Sequence, residues 1–212
     1  MFHLTGQGAA DALLRAVIAG AIALAPAALQ GAENTVTPPT AGEVVEQLGL
    51  EQHVEGGFFR RTYAAEEQPS ITTAHGDRYL MTSIFYMLTS KSPVGHFHRN
   101  RSDIVHYFHL GDPVTYYLLH RDGSLQTVVM GNDVLAGQKL QLTVPGGVWK
   151  ASRLASGNHG YGLISEAVAP GFDYADMSLA ERGQLQARFP THRELISGLT
   201  RDKPTDDTPP DS

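Results

Sequence analysis

PVGHFHRNRSDIVHYFHLG, residues 93–111, gathers four histidines, two arginines and an aspartate into one strand–turn–strand unit. His96 and His98 alternate with Phe97, which places both imidazoles on one face of a short strand. Asn100-Arg101-Ser102 reads as a turn. In the strand that follows, Ile104, His106, Phe108 and Leu110 share one face, and Asp103, Val105, Tyr107 and His109 share the other. A His-x-His pair on one face aims two ring nitrogens at one point, as a metal ion or a sugar hydroxyl requires. Polar residues this dense, where the pattern asks for buried sheet, mark the expected site.

Outward from this unit the chain runs in short β-type segments, at 79–89 before it and at 114–120, 125–130, 139–144 and 161–168 after it. Turn chemistry separates them at Gly111-Asp112-Pro113, Arg121-Asp122-Gly123, Gly131-Asn132-Asp133 and Pro145-Gly146-Gly147. Regular short strands predict an all-β sandwich or barrel. Phe58–Ala64 is a further strand, entered through a polar turn that ends in Gly56-Gly57. Near-helical spacing of Val44, Val45, Leu48 and Leu50 predicts a helix over 41–50. Helices are also predicted over 178–188 and 191–199, with Ser178 and Thr191 as N-caps. The folded domain is placed at 39–190, and residues 191–212 are expected to hold a helix and a disordered tail.

The 212 residues, 42% of them hydrophobic, with a net charge of −6, suit one globular domain with flanking tails. Mild acidity without a basic, aromatic-studded stripe argues against nucleic acid. Without cysteine there is no disulfide, thiolate ligand or thiol nucleophile. AVIAGAIALAPAAL (16–29) is too short to span a membrane. Two readings stand for residues 1–38. One is a signal peptide cleaved after Ala27 or a few residues later, which gives a periplasmic or secreted protein. The other is a disordered extension or an early start codon, which gives a cytoplasmic one. Asp11 and the single basic residue, Arg15, count against the signal.

Five blocks occur in order: HVEGGFFRRTY (53–63), RYLMTSIFYML (78–88), HFHRNRSDIVHYFHLGDPVTYYLL (96–119), LQLTVPGGVWKAS (140–152) and LISEAVAPGFDYADM (163–177). Together they resemble the cupin superfamily, in its branch of unknown function called cupin family five, over roughly residues 41–185. The resemblance implies a double-stranded β-helix, a jelly roll of two antiparallel sheets with short flanking helices, commonly a homodimer. It implies no reaction. The general metal set of that superfamily is a His-x-His pair, a glutamate and a third histidine. His96 and His98 match the pair. Ile104 stands where the branch carries a glutamate, beside the retained Asp103, and Lys150 stands where the third histidine would be. An ammonium opposes a metal ion rather than ligating it.

The same residues support two chemistries. If His96 and His98 bind one divalent transition metal, Zn, Fe, Mn or Ni, then His106, Glu166 or Glu55 must complete the set. Without a metal, His98 and Asp103 form an acid–base dyad if the turn lets them converge, with His106 as a third catalytic candidate. Tyr63, Tyr86, Tyr107, Tyr116 and Tyr117 are candidate acids. Arg60, Arg61, Arg78 and Lys150 are candidates to hold a carboxylate or stabilise an enolate. Glu55 is placed at the pocket mouth and Trp149 on its wall. Glu166, a carboxylate among apolar neighbours, either pairs with Arg60 or Arg78 or faces the ligand. His53, His75, His120, His159 and His192 are read as solvated, and His109 as lying on the outer surface or in a dimer contact. The expected function is an isomerase, epimerase or lyase acting on a sugar-like or hydroxy-acid small molecule. The alternatives are a metal-dependent dioxygenase or decarboxylase, and a non-catalytic metabolite-binding module. Exposed strand edges predict the homodimer.

Overall fold

The computed structural model describes residues 37–201. The signal-peptide reading falls on residues outside the described ones, as does the tail from 202 on. Helix α1 (Ala41–Leu48) starts in a reciprocal cap: Thr40 Oγ1 accepts from the Glu43 N–H, and the Glu43 carboxylate accepts from the Thr40 N–H. It ends at Gly49, whose φ of 59° is left-handed. Then come strands β1 (Glu51–Gln52), β2 (Phe58–Ala64), β3 (Ile71–Thr73), β4 (Gly76–Arg78) and β5 (Thr82–Thr89). Next are β6 (Val94–Asn100), β7 (Asp103–Gly111), β8 (Val114–Leu119), β9 (Leu125–Met130) and β10 (Gln141–Val144). The chain closes with β11 (Trp149–Leu154), β12 (Tyr161–Ala169), β13 (Met177–Leu179), α2 (Arg182–Arg188) and α3 (Arg193–Gly198).

Two antiparallel sheets form the jelly roll, one in the order β1-β2-β5-β12-β7-β10 and the other β13-β6-β11-β8-β9; β3 and β4 make a separate ribbon. Apolar side chains from both sheets, among them Leu88, Phe108, Leu118, Met130 and Ile164, fill the space between them. Burying each contributes roughly 1.5–3 kcal/mol. Helix α1 covers the outer face of the first sheet through Val44, packed with Met87 and Leu163. Helices α2 and α3 cover the second through Leu185 and Ile196, packed with Phe97 and Trp149.

Strand β11 was not among the expected segments. Its residues WKASRL lack apolar alternation because both faces are covered, Lys150 and Ser152 on one and Trp149 and Ala151 on the other. Ser178 is a strand residue in β13 rather than an N-cap. Helix α2 is capped by Glu181, whose carboxylate accepts from the Gly183 and Gln184 N–H groups. Thr191 lies in a 3-10 turn ahead of α3.

Two bulges reset which side chains face inward. In β7, Ile104, His106 and Phe108 are buried as the alternation requires. Pairing then jumps from Ile164↔Phe108 to Leu163↔Leu110, so His109 is the extra residue and Leu110 emerges at the surface. In β6, His98 pairs with Lys150 and Gly95 with Ser152, so His96 and Phe97 together oppose the single Ala151. His98 therefore points inward and Phe97 outward, while the His96 ring lies beside the Leu199 backbone. The expectation that His96 and His98 share a face fails at this bulge. Gly95 is required there, since a Cβ would run into the Ser152 and Tyr86 hydroxyls.

Candidate functional site

Cross-strand register brings the inward polar groups together. Glu166 on β12 sits opposite His106 on β7, and Lys150 on β11 sits opposite His98 on β6. The Glu166 carboxylate lies 3.2 Å from His106 Nδ1 and 3.4 Å from Lys150 Nζ. Lys150 Nζ is also 3.3 Å from His106 Nε2. An ammonium can only donate, so Nε2 accepts and the Nδ1–H of His106 is left to donate to Glu166. The Tyr116 hydroxyl lies 3.3 Å from the same Nδ1. Burial alone would raise the Glu166 pKa, but Lys150 and His106 outweigh it and hold the carboxyl well below the usual range. Burial, then Lys150, lowers His106. The unit is a buried Lys⁺–Glu⁻ pair bridged by a neutral imidazole.

Glu55 enters from the turn before β2. Gly56 and Gly57 have φ of 98° and 74°, and a Cβ at Gly56 would strike the Val94 carbonyl. The Tyr86 hydroxyl donates to the Gly56 carbonyl at 2.9 Å and fixes this turn. Glu55 Oε2 then lies 3.1 Å from His98 Nε2. The contact is poorly directed, and buried Nε2 has no well-aligned hydrogen bond. His98 Nδ1 is 2.7 Å from the His96 carbonyl, which can only accept, so Nδ1 carries the proton and Nε2 a lone pair. Burial, then Lys150, holds His98 well below its ordinary pKa. Burial pushes the Glu55 carboxyl up to about 8; Lys150 opposes the rise and Glu166 adds to it.

Glu55 and Glu166 open onto a cavity of about 270 Å³. His53, Phe59, Phe172 and Tyr174 form its aromatic side, and Asn100 at the end of β6 also lines it. The Asn100 Oδ1 is buried and unpartnered. Arg61 and Glu51 line the cavity from exposed positions. His98 is not itself on the cavity lining; it stands behind Glu55.

Several expected site residues lie elsewhere. Asp103 does not reach His98: its carboxylate accepts the Gly146 N–H at 2.7 Å and pins the Pro145-Gly146-Gly147 turn. Asp103→Ala therefore lowers the unfolding free energy from denaturant melts by about 1 kcal/mol and leaves ligand affinity unchanged. Affinity lost at unaltered stability would return Asp103 to the site. Trp149 faces away from the cavity, under the C-terminal helices, with the Arg99 guanidinium 4.8 Å above its ring. Arg60 is exposed on the outer side of β2, beside Gly49. Arg78 is buried against Asp176 at 2.6 Å, so neither arginine meets Glu166. Tyr63 and Tyr107 are exposed, whereas Tyr86 and Tyr116 face the interior, where burial keeps both phenols protonated.

His53, expected to be solvated, is buried. Its Nδ1 accepts from the Glu55 N–H at 3.3 Å, and its ring meets Phe59 edge-on at 4.4 Å. Burial brings its pKa down to about 4. Its place at the head of the HVEGGFF block, two residues before Glu55, was the available signal. Asn100, expected in a turn, ends β6.

The metal set does not fit. His96 diverges from His98, Ile104 is apolar, and the Lys150 ammonium contacts both Glu166 and His106. Among the described residues no group of three or more histidine or carboxylate side chains is arranged to hold a metal ion.

Residues 42–180 match the family model described as cupin superfamily, DUF985. An uncharacterised protein of Saccharomyces cerevisiae is 34% identical over 166 residues, covering 73% of this chain and 82% of its own. Two solved structures are similar. A hypothetical protein from Leishmania major has a TM-score of 0.72 at 31% identity, with 77% of this chain and 100% of that one covered. A protein from Shewanella oneidensis has a TM-score of 0.69 at 36% identity, with 78% and 100% covered.

Proposed function

The chain belongs to the DUF985 family of the cupin superfamily, and from that premise we propose a metal-independent acid–base enzyme of isomerase, epimerase or lyase type acting on a small polar molecule. One observation carries the reading. A carboxyl with its pKa pushed up to about 8 opens onto a cavity, its oxygen 3.1 Å from an imidazole lone pair. Acid–base catalysis works best when the pKa lies near the working pH, because the group is then available in both forms. Glu55 takes a proton from the ligand as carboxylate and returns it as acid. His98, its tautomer fixed by the His96 carbonyl, orients the Glu55 proton. The Lys150 ammonium, steadied by Glu166 and His106, supplies fixed positive charge near the anion that forms.

Carbon-bound hydrogen exchange tests this. Chelator-treated protein is incubated in D2O with free sugars, sugar phosphates and 2-hydroxy acids and followed by proton NMR. Deuterium should enter one C–H position next to a carbonyl or potential carbonyl carbon, and His98→Ala should slow entry at least tenfold with little loss of stability. Absence of exchange across the panel, or exchange only after a transition metal is restored, removes the proposal.

A homodimer is part of the same reading. Exposed Tyr63, Ile71, Tyr79, Leu80 and Met81 lie on the linked β2–β3–β4–β5 region. Light scattering should give twice the mass of one chain, and Leu80→Asp should halve it. A monomer at micromolar concentration ends that part.

A further inference from the structure

We infer that the cavity takes an uncharged, hydroxyl-rich ring of monosaccharide size and discriminates against carboxylates and phosphates. The inference rests on the reading that this cavity is where the ligand binds, and it narrows the ligand class.

Charge is the first ground. Two carboxyl groups, Glu55 and Glu166, open onto the cavity. The interior cation nearest to them, Lys150, already contacts Glu166 and His106. Among the described residues lining the cavity, Arg61 is the one guanidinium, and it is exposed with Glu51 on the same lining. Arg60 and Arg78, which could have received an anion, face elsewhere. An anionic ligand would therefore be desolvated beside the Glu166 carboxylate, and among the described lining residues no buried cation would receive it.

Hydrogen-bonding sense is the second. Asn100 is 7% exposed and lines the cavity, with its Oδ1 in want of a donor. Glu166 also accepts, as does the Glu55 oxygen that faces the cavity while the Glu55 proton is turned to His98. Ligand hydroxyls can donate to this accepting wall where an anion, which only accepts, cannot.

Shape is the third. His53 and Tyr174 lie stacked with ring centroids 6.5 Å apart, and Phe59 and Phe172 stand edge-on to them at 4.4 and 5.0 Å. This wall suits the C–H face of a ring whose hydroxyls point to Asn100 and the carboxyl groups. The volume, about 270 Å³, is below the roughly 300–1,000 Å³ of pockets that enclose drug-sized ligands. It holds one ring and not a ring joined to a nucleotide.

Titration calorimetry with pairs that differ only in charge decides the matter. Methyl pyranosides of several configurations are compared at pH 7 with the matching uronic acids and 6-phosphates. At least one neutral pyranoside should bind, at least tenfold tighter than both charged partners, and Asn100→Ala should weaken it about tenfold while the melting temperature holds. A charged partner that binds equally or better overturns the inference, as does failure of every neutral pyranoside to bind at millimolar concentration. Deuterium exchange distinguishes the two failures. Exchange into a carboxylate ligand would keep the acid–base reading and end this one. A neutral pyranoside that binds tightly while its free reducing sugar, which unlike the glycoside can open to a carbonyl, never exchanges would do the reverse.

Discussion

Glu55→Gln should make the protein more stable at pH 9 and nearly inactive. The folded state holds the Glu55 proton up to about pH 8, whereas an unfolded glutamate releases it near 4.5. A group whose folded pKa is raised contributes stability that is complete below the unfolded pKa and is lost as pH rises through the folded one. The wild type should thus lose stability between about pH 4.5 and 8, at up to about 1.4 kcal/mol per pH unit. Glutamine keeps the shape and the hydrogen-bonding capacity but cannot ionise. Denaturant melts at pH 9 should show the variant ahead by on the order of 1–4 kcal/mol, and the gap should close by pH 5. Turnover should fall roughly 10²–10⁴-fold, and the wild-type rate should climb with pH to a plateau governed by an apparent pKa near 8. A variant of wild-type activity, or one destabilised equally at pH 5 and pH 9, would assign Glu55 a structural role. Greater stability joined to lost turnover is what distinguishes a group held in a costly environment for its chemistry.

The sheets were legible because alternation and turn chemistry agree along most of the chain. Ile104, His106 and Phe108 fall inward as period two requires, and the Pro145-Gly146-Gly147 turn separates β10 from β11. Misreadings cluster where period two breaks. The β6 bulge turns His96 away from His98, and a bulge carries no local signature in PVGHFHRN beyond Gly95, which reads equally well as a plain strand residue. Charge partners were harder still, because pairing depends on register between strands distant in the chain. Lys150 and Glu166 read separately as a pocket contact and as a carboxylate in search of an arginine. Only the alignment of β11 with β6, and of β12 with β7, brings them to one point. Asp103 shows the converse. Adjacency in sequence suggested a dyad with His98, but Asp103 sits on the outward face of β7, where the nearest donor is the Gly146 N–H. His53 lies in a turn, and a turn residue defaults to solvated unless the chain folds back over it, as the Phe172–Tyr174 segment does here.

Removing either member of the Lys150–Glu166 pair should destabilise the protein more than removing both. Lys150 is 2% exposed and Glu166 8%, so each single change strands a charge out of water. Breaking a buried pair from one side costs about 3–5 kcal/mol, whereas replacing the pair by apolar groups of similar volume is often near neutral. Glu166→Gln leaves the ammonium facing a neutral amide and the lone pair of His106. Lys150→Met leaves the carboxylate with only the His106 N–H and pulls that imidazole toward protonation. Each should lower the unfolding free energy from denaturant melts by that amount, and the Lys150→Met, Glu166→Leu double variant should lose less than either single variant. The cycle also separates stability from function. The double variant folds but lacks the fixed cation near Glu55, so its exchange rate should fall at least tenfold, and in the Lys150→Met single variant, which keeps Glu166, the Glu55-governed pH profile should move to higher pH, since Lys150 favours the Glu55 carboxylate. Additive stability losses would mean that the two charges do not compensate each other. An unmoved pH profile would mean that Lys150 does not act on Glu55, and the acid–base couple would then consist of Glu55 and His98 alone.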